Sequence, residues 1–277
     1  IGRHAMRGAS SGTYPTGNYN IAVGNYALDA TTSGNANVAI GYQTLTAVTT
    51  AAGNVAVGSS CGAALTGATN TLIGHQAGYY ATSINDCVAV GRNALIGDGS
   101  TAPTGDYNIA IGSYALDATT TGYSNVAVGH NALTALTTGV ANVAIGQGAL
   151  DVMDGENYNV AVGYEALSSE NSGSYGCVAV GAHALQDQNV ASANNVAVGY
   201  QSALNLTSGT DSVYVGFETG GAGVITGDRN VAIGKGAALN ATSPDNCVYI
   251  GEMAAGSGVA EGNDNVVIGK EAGYDLT

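Results

Sequence analysis

Five residues, Asn159-Val160-Ala161-Val162-Gly163, recur in nearly the same wording from one end of the chain to the other. The glycine that closes them stands at 2, 24, 41, 58, 74, 91, 112, 129, 146, 163, 181, 199, 216, 234, 251 and 269, in steps of 17 or 18 residues with one of 16 and two of 22 and 21. A short, fixed period across a whole chain means stacked units, none of which can bury its apolar side alone. Such a chain is constrained to a solenoid.

From Gly24 onward, the first and third positions of the stretch hold Val or Ile in 29 of 30 places, Thr71 being the exception. The middle position is Ala in eleven of fifteen, with Leu72, Tyr214, Tyr249 and Val267 departing. β-Branched residues at i and i+2 with another class between them mark a strand, one side inward. A 17-residue repeat cannot also hold a helix, because a crossover with its helix takes about 10–12 residues beyond the strands. The expected fold is all-β: a parallel β-solenoid (β-roll) of about 16 coils with 17–18 residues each, forming one repeat domain over 1–277. Stacked strands would lie about 4.8 Å apart.

Two stretches are near copies, Asn20 to Thr32 and Asn108 to Thr120, and each follows a long loop (Tyr14-Pro15-Thr16-Gly17 and Ala102-Pro103-Thr104-Gly105). A five-coil block is therefore duplicated, around 3–90 and 91–180. Because the chain opens at Ile1-Gly2, inside a repeat, and ends inside another, it is expected to be a segment of a longer fibre.

The period of two predicts that Val160, Val162, Val126, Val128, Ile109, Ile111, Val196 and Val198 line the coil interior. It then turns Ala22, Ala39, Ala56, Ala110, Ala127, Ala144 and Ala161 outward, as a flat strip of methyl groups. So long an apolar strip should be covered, and small side chains let copies of the same strip approach about a rotation axis. The repeated glycines, among them Gly24, Gly41, Gly58, Gly112, Gly129, Gly146 and Gly163, are expected at positive φ or where a Cβ would strike the next coil. The Asn that begins most strands is expected to form a structural ladder with its copies. The Leu of the Ala-Leu pair after the glycine should fill the core.

Net charge is −14 with only six Lys and Arg, which argues against nucleic acid, whose phosphates need clustered cations. No stretch approaches 18 continuous apolar residues, so no membrane insertion is expected. Cys87, Cys177 and Cys247 replace the strand-initial Asn and lie four or five coils apart, too far to pair within one chain. They and Cys61 are read as buried free thiols.

The variable chemistry gathers just after the repeated glycine. Tyr42, His75, Arg92, His130, Tyr164, Tyr200 and Phe217 all occupy the first position after it, a candidate receptor ridge for a cell-surface glycan or protein. An exposed corner that tolerates any soluble residue is the plainer reading. The histidines are too far apart to share a metal, and loop acids such as Asp154, Glu156 and Asp228 are the remaining candidates for a stray cation. No Gly-x-Ser-x-Gly, His-Glu-x-x-His or P-loop pattern is present, and carboxylate pairs such as Glu261 and Asp264 read as solvated loop residues, so neither an enzyme nor a cofactor is expected. Recurring threonines (Thr31, Thr32, Thr49, Thr50, Thr119, Thr120, Thr137, Thr138) raise an ice-binding alternative, but the array breaks at Gly97-Asp98, Asp151-Val152 and Gln186-Asp187.

The Asn-Val-Ala-Val/Ile-Gly stretch closely resembles the head repeat of trimeric autotransporter adhesins, in which each chain winds a left-handed parallel β-roll and three rolls associate. The longer wording, as in Gly41-Tyr42-Gln43-Thr44-Leu45 and Gly163-Tyr164-Glu165-Ala166-Leu167, looks more like the repeats of bacteriophage tail fibres. The resemblance spans essentially the whole chain, although the repeat is longer than the usual adhesin head repeat. It implies a left-handed homotrimer, an inward Val160 and Val162, an outward Ala161 and a turn at Gly163. It also implies an extracellular structural fibre, a rigid shaft or receptor-binding head on a virion, with a bacterial surface adhesin as the alternative.

Overall fold

The computed structural model describes residues 1–8, 14–169, 174–188, 194–221, 223–256 and 262–274; Glu261 lies outside them. It is an all-β, parallel β-solenoid with no helix among the described residues. The chain divides into two compact units, 1–141 and 142–277.

The first unit contains β1 (Ile21–Val23), β2 (Val38–Ile40), β3 (Val55–Val57), β4 (Thr71–Ile73), β5 (Val88–Val90), β6 (Ile109–Ile111) and β7 (Val126–Val128). Each pairs in parallel with the next, in register, so that Ile21, Val38, Val55, Thr71, Val88, Ile109 and Val126 form one row. The second unit repeats the plan with β8 (Val143–Ile145), β9 (Val160–Val162), β10 (Val178–Val180), β11 (Val196–Val198), β12 (Val213–Val215), β13 (Val231–Ile233), β14 (Val248–Ile250) and β15 (Val266–Ile268). The differing loop lengths do not disturb the register.

The faces of these strands are the reverse of the sequence expectation. In every strand the middle residue is buried and the flanking pair is half-buried or exposed. Ala39, Ala56, Ala110, Ala127, Ala144 and Ala161 have no exposure at all, and Ala22 is at 9%. These alanines line the coil interior and cannot form a seam between chains. Conversely Val126, Val128, Ile109, Ile111, Val160, Val162, Val196 and Val198 stand on the outer face, with Ile111 at 39% and Val198 at 36% exposed.

The reason is volume. The coil is narrow, and its interior opposite the strand is already filled by Leu28, Leu45, Leu95, Leu116, Leu133, Leu150, Leu167 and Leu185, all fully buried. A methyl is what fits beside a leucine. The departures confirm the arithmetic of size: β4 carries Leu72 inward, and the flanking coils have Gly62 and Gly78 where leucine usually stands. A Cβ on Gly62 would lie 2.9 Å from both Leu45 Cδ2 and Leu72 Cδ1. Likewise β12 carries Tyr214 inward, and a Cβ on Gly220 would lie 2.7 Å from its Cε1. Large residues on one wall are matched by small ones on the other, as close packing demands.

The repeated glycines turn the chain out of each strand at φ between 127° and 147°. At Gly163, φ is 147° and a Cβ would lie 2.4 Å from the carbonyl oxygen of Gly181 in the next coil, so both backbone conformation and space require glycine. The arc that follows alternates ordinary and left-handed residues, as at Tyr26 (φ 62°) and Leu28 (φ 51°). Such residues cost on the order of 1 kcal/mol each. The stacking offsets this, because the arc repeats in register and its amides bond between coils: Tyr26 N–H to Arg3 O (2.9 Å) and Leu28 N–H to Thr44 O (3.0 Å).

The strand-initial asparagines form a buried ladder. Asn54 donates its backbone N–H and its side-chain amide to Asn37 Oδ1 (3.0 and 3.1 Å), and Asn70 does the same to Asn54 (3.0 and 3.1 Å). Cys87 and Cys247 keep the ladder running, their Sγ atoms accepting the N–H of Asn108 (3.4 Å) and Asn265 (3.3 Å). Ser212 does so with its hydroxyl, which accepts Asn230 N–H at 2.9 Å. A second ladder, not anticipated from sequence, runs two residues ahead of the first. Its side-chain oxygens come from Asn35, Asn85 and Asp106 in the first unit and Asp228, Asp245 and Asn263 in the second.

Candidate contact ridge

All seven residues assigned to the ridge are exposed. They follow the repeated glycine, whose turn carries the next side chain off the outer face, so each coil adds one residue to a line along its unit. The lines are not continuous clusters everywhere. In the first unit Tyr26 stacks on His4 (centroids 5.2 Å) and meets Tyr42 edge-on (6.2 Å). Farther along, the Arg92 guanidinium sits 4.7 Å above the Tyr114 ring, which meets His130 edge-on at 6.2 Å. His75 belongs to neither group.

The second unit has an unbroken series. Tyr164 meets His183 (5.2 Å), His183 meets Tyr200 (6.1 Å), Tyr200 stacks on Phe217 (5.5 Å, planes 17° apart), and Lys235 Nζ lies 5.9 Å from the Phe217 centroid. The middle link is His183, which stands two positions after its glycine rather than one. At that position φ is 58°, and this left-handed turn swings the ring back into line. His183 Nδ1 is 2.9 Å from Gln186 Oε1 and 3.6 Å from Glu165 Oε2, while Gln186 Nε2 donates to Glu165 at 3.2 Å. Glu165 accepts a hydrogen bond from the Tyr164 hydroxyl and holds that phenol's pKa above its ordinary value. The ridge therefore offers ring edges, phenols, an imidazole and an ammonium, with much of the ring-face area used between neighbours.

The loop acids considered for a cation have roles within the fold. Asp228 Oδ1 accepts both the backbone N–H and the hydroxyl of Thr210 (2.8 and 3.1 Å), and Glu156 Oε2 accepts Gly155 N–H at 2.8 Å. Asp154 is exposed in the same turn, in which Glu156 itself is buried. The threonine array is not a flat outer face: Thr31 and Thr119 are fully buried and donate to Val48 O and Leu136 O. The thiols are buried as well, and burial pushes Cys61 up to about 12 and Cys87 to about 11, so neither is an available nucleophile at neutral pH.

The other candidate surface is the outer strand face itself. In each unit it is a double row of Val and Ile, interrupted once, at Thr71 in the first unit, with the ridge along one border. No helix among the described residues is long and apolar enough to cross a membrane. Comparison with known proteins finds no family model and no curated protein that matches this chain.

Proposed function

We propose that the chain is a structural segment of an extracellular fibre, a homotrimeric shaft or head of the kind found in phage tail fibres, in which three solenoids meet through their Val and Ile faces. The exposed, in-register aliphatic double row is the observation that supports this. Two partly exposed side chains per strand, repeated over seven strands in the first unit and eight in the second, make a continuous apolar strip of the kind that an interface of about 800 Å² per partner would cover. Copies of one surface meet most simply about a rotation axis, which favours a closed rotational assembly. The number three comes from the resemblance to adhesin heads and tail fibres.

In this arrangement the post-glycine ridge lies beside the seam and remains available to a host-surface receptor, as either a phage fibre or a bacterial adhesin would require. Sedimentation equilibrium tests the assembly. A mass of three times 27.2 kDa, about 82 kDa, is expected, and a monomer at micromolar concentration would refute it.

A further inference from the structure

The first unit has an open notch of about 280 Å³ lined by Thr46, Ala63, Ala64, Tyr79 and Tyr80, none of which is a residue of the post-glycine ridge. It exists because of a local size pattern. Where neighbouring coils carry Thr46 or the pair Tyr79-Tyr80, the coil between them has Ala63 and Ala64, so the floor drops to two methyl groups while tyrosine forms the wall.

The wall is held in place. The Tyr79 and Tyr80 rings meet at 81° with centroids 4.6 Å apart. The long loop after Ile96 packs on Tyr80: a Cβ at Gly99 would lie 3.4 Å from Tyr80 Cε2, and one at Gly97 would lie 3.5 Å from Tyr80 Cβ. Both glycines have positive φ (87° at Gly97 and 80° at Gly99), so the loop reaches the ring in a conformation that other residues rarely take. The Asp98 carboxylate in that loop is occupied by the N–H groups of Ser100 and Thr101 (2.8 and 2.6 Å). Fixed aromatic rings beside a small floor form a preorganised recess, which lowers the entropic cost of binding.

Charge narrows the occupant. In a chain with a net charge of −14, the sequence from Ala30 to Asn85 contains no Asp, Glu, Lys or Arg. Nothing in the notch would pair with a phosphate, a carboxylate or an amine. Its polar atoms are phenols and the Thr46 hydroxyl, which donates to Ala63 O at 2.8 Å and can still accept. Its volume falls below the ~300–1,000 Å³ of pockets for drug-sized ligands, which limits it to one ring.

We propose that this notch is a binding subsite for a single uncharged pyranose ring of a saccharide, with a C–H face of the sugar on a tyrosine ring and its hydroxyls on the phenols and Thr46. The inference stands apart from the fibre reading, since it needs neither the trimer nor the ridge. So open a site predicts a dissociation constant on the order of 1 mM.

The test is saturation-transfer NMR on the full chain with free hexoses and N-acetylhexosamines at concentrations on the order of 10 mM, with glucuronic acid as the charged control. At least one neutral sugar should give transfer and glucuronic acid none. The signal should fall at least about tenfold in Tyr80→Ala, and likewise in Ala64→Leu, which fills the floor and leaves both tyrosines in place. Tyr123→Ala, at an exposed tyrosine outside both the notch and the ridge, should leave it unchanged. Circular dichroism checks that each variant is folded. Silence across all neutral sugars, equal transfer to glucuronic acid, or transfer that survives Ala64→Leu would overturn the proposal, as would a proline-rich peptide that binds the notch more tightly than any sugar.

Discussion

The two faces of a single strand obey different rules. In β9, Ala161 points into a space bounded by buried leucines and has no exposure, while Val160 and Val162 on either side of it are half-buried on the outside. The inner face is a problem of volume, solved coil by coil, so a change in one residue is answered by its neighbours in space. The outer face is a problem of area. It keeps the same aliphatic class in 29 of 30 places with no size partner in its own coil, as expected of a surface that meets something other than its own chain.

The largest effect should come from the turn that separates the faces. Gly163→Ala places a Cβ 2.4 Å from Gly181 O at φ 147°, and the expected loss is about 3 kcal/mol or more, measured by denaturant unfolding. Next comes the inner wall. Ala161→Leu overfills the core and should cost about 1–3 kcal/mol. Replacing Leu150 and Leu167 with glycine in the same chain reproduces the natural arrangement of Leu72 between Gly62 and Gly78, and should restore much of the loss. An Ala161→Leu variant as stable as the parent would show that the wall is not size-matched.

That size matching also explains what could be read in advance. The period, the all-β class, the parallel stack and the asparagine row were legible because they depend on spacing and residue type alone. Which face was inside was not, because an alternation of Val and Ala has two equally regular solutions, and β-branched residues suit a half-covered outer surface as well as a core. The deciding signal was present but lay between coils: leucine is missing after Gly58 and Gly74, around the one strand that carries Leu72. The Tyr79-Tyr80 notch and the second Asx ladder were hidden for a similar reason, since both join residues a whole coil apart. The ridge was easier to find, as it follows the one or two positions after the glycine, but the left-handed turn that brings the His183 ring into contact with its neighbours is not announced by composition.

The outer face should tolerate what the inner face does not. Val162→Lys combined with Val198→Lys is expected to change the stability of a single coil by under about 1 kcal/mol, yet to shift the sedimentation mass from trimer to monomer by placing ammonium groups in the aliphatic seam. A folded trimer with both lysines would move the interface away from the strands. Unfolding of the isolated chain would instead mean that the valines serve the coil's own core, erasing the distinction between the faces.

The smallest effect belongs to the corner where inside meets outside, and it compares the two copies of the duplicated text. Asp29 and Asp117 stand at equivalent places, but Asp29 lies 3.2 Å from Arg7 in the adjoining coil, whereas the residue in Arg7's place beside Asp117 is Ile96. Without a cation, burial raises Asp117 to about 6. A carboxyl whose pKa is higher folded than unfolded binds its proton more tightly in the folded state, so its favourable contribution is complete below about 4 and is lost as pH rises to about 6. Asp117→Asn should therefore remove that part of the pH dependence and stabilise the protein at pH 7 by under ~1 kcal/mol, because the group is half exposed and solvent screens it. Asp29→Asn, which breaks an ion pair, should give no such gain. Thermal melts of the two variants at pH 4 and pH 7 separate these outcomes: equal shifts in both would mean that Arg7 does not distinguish the copies.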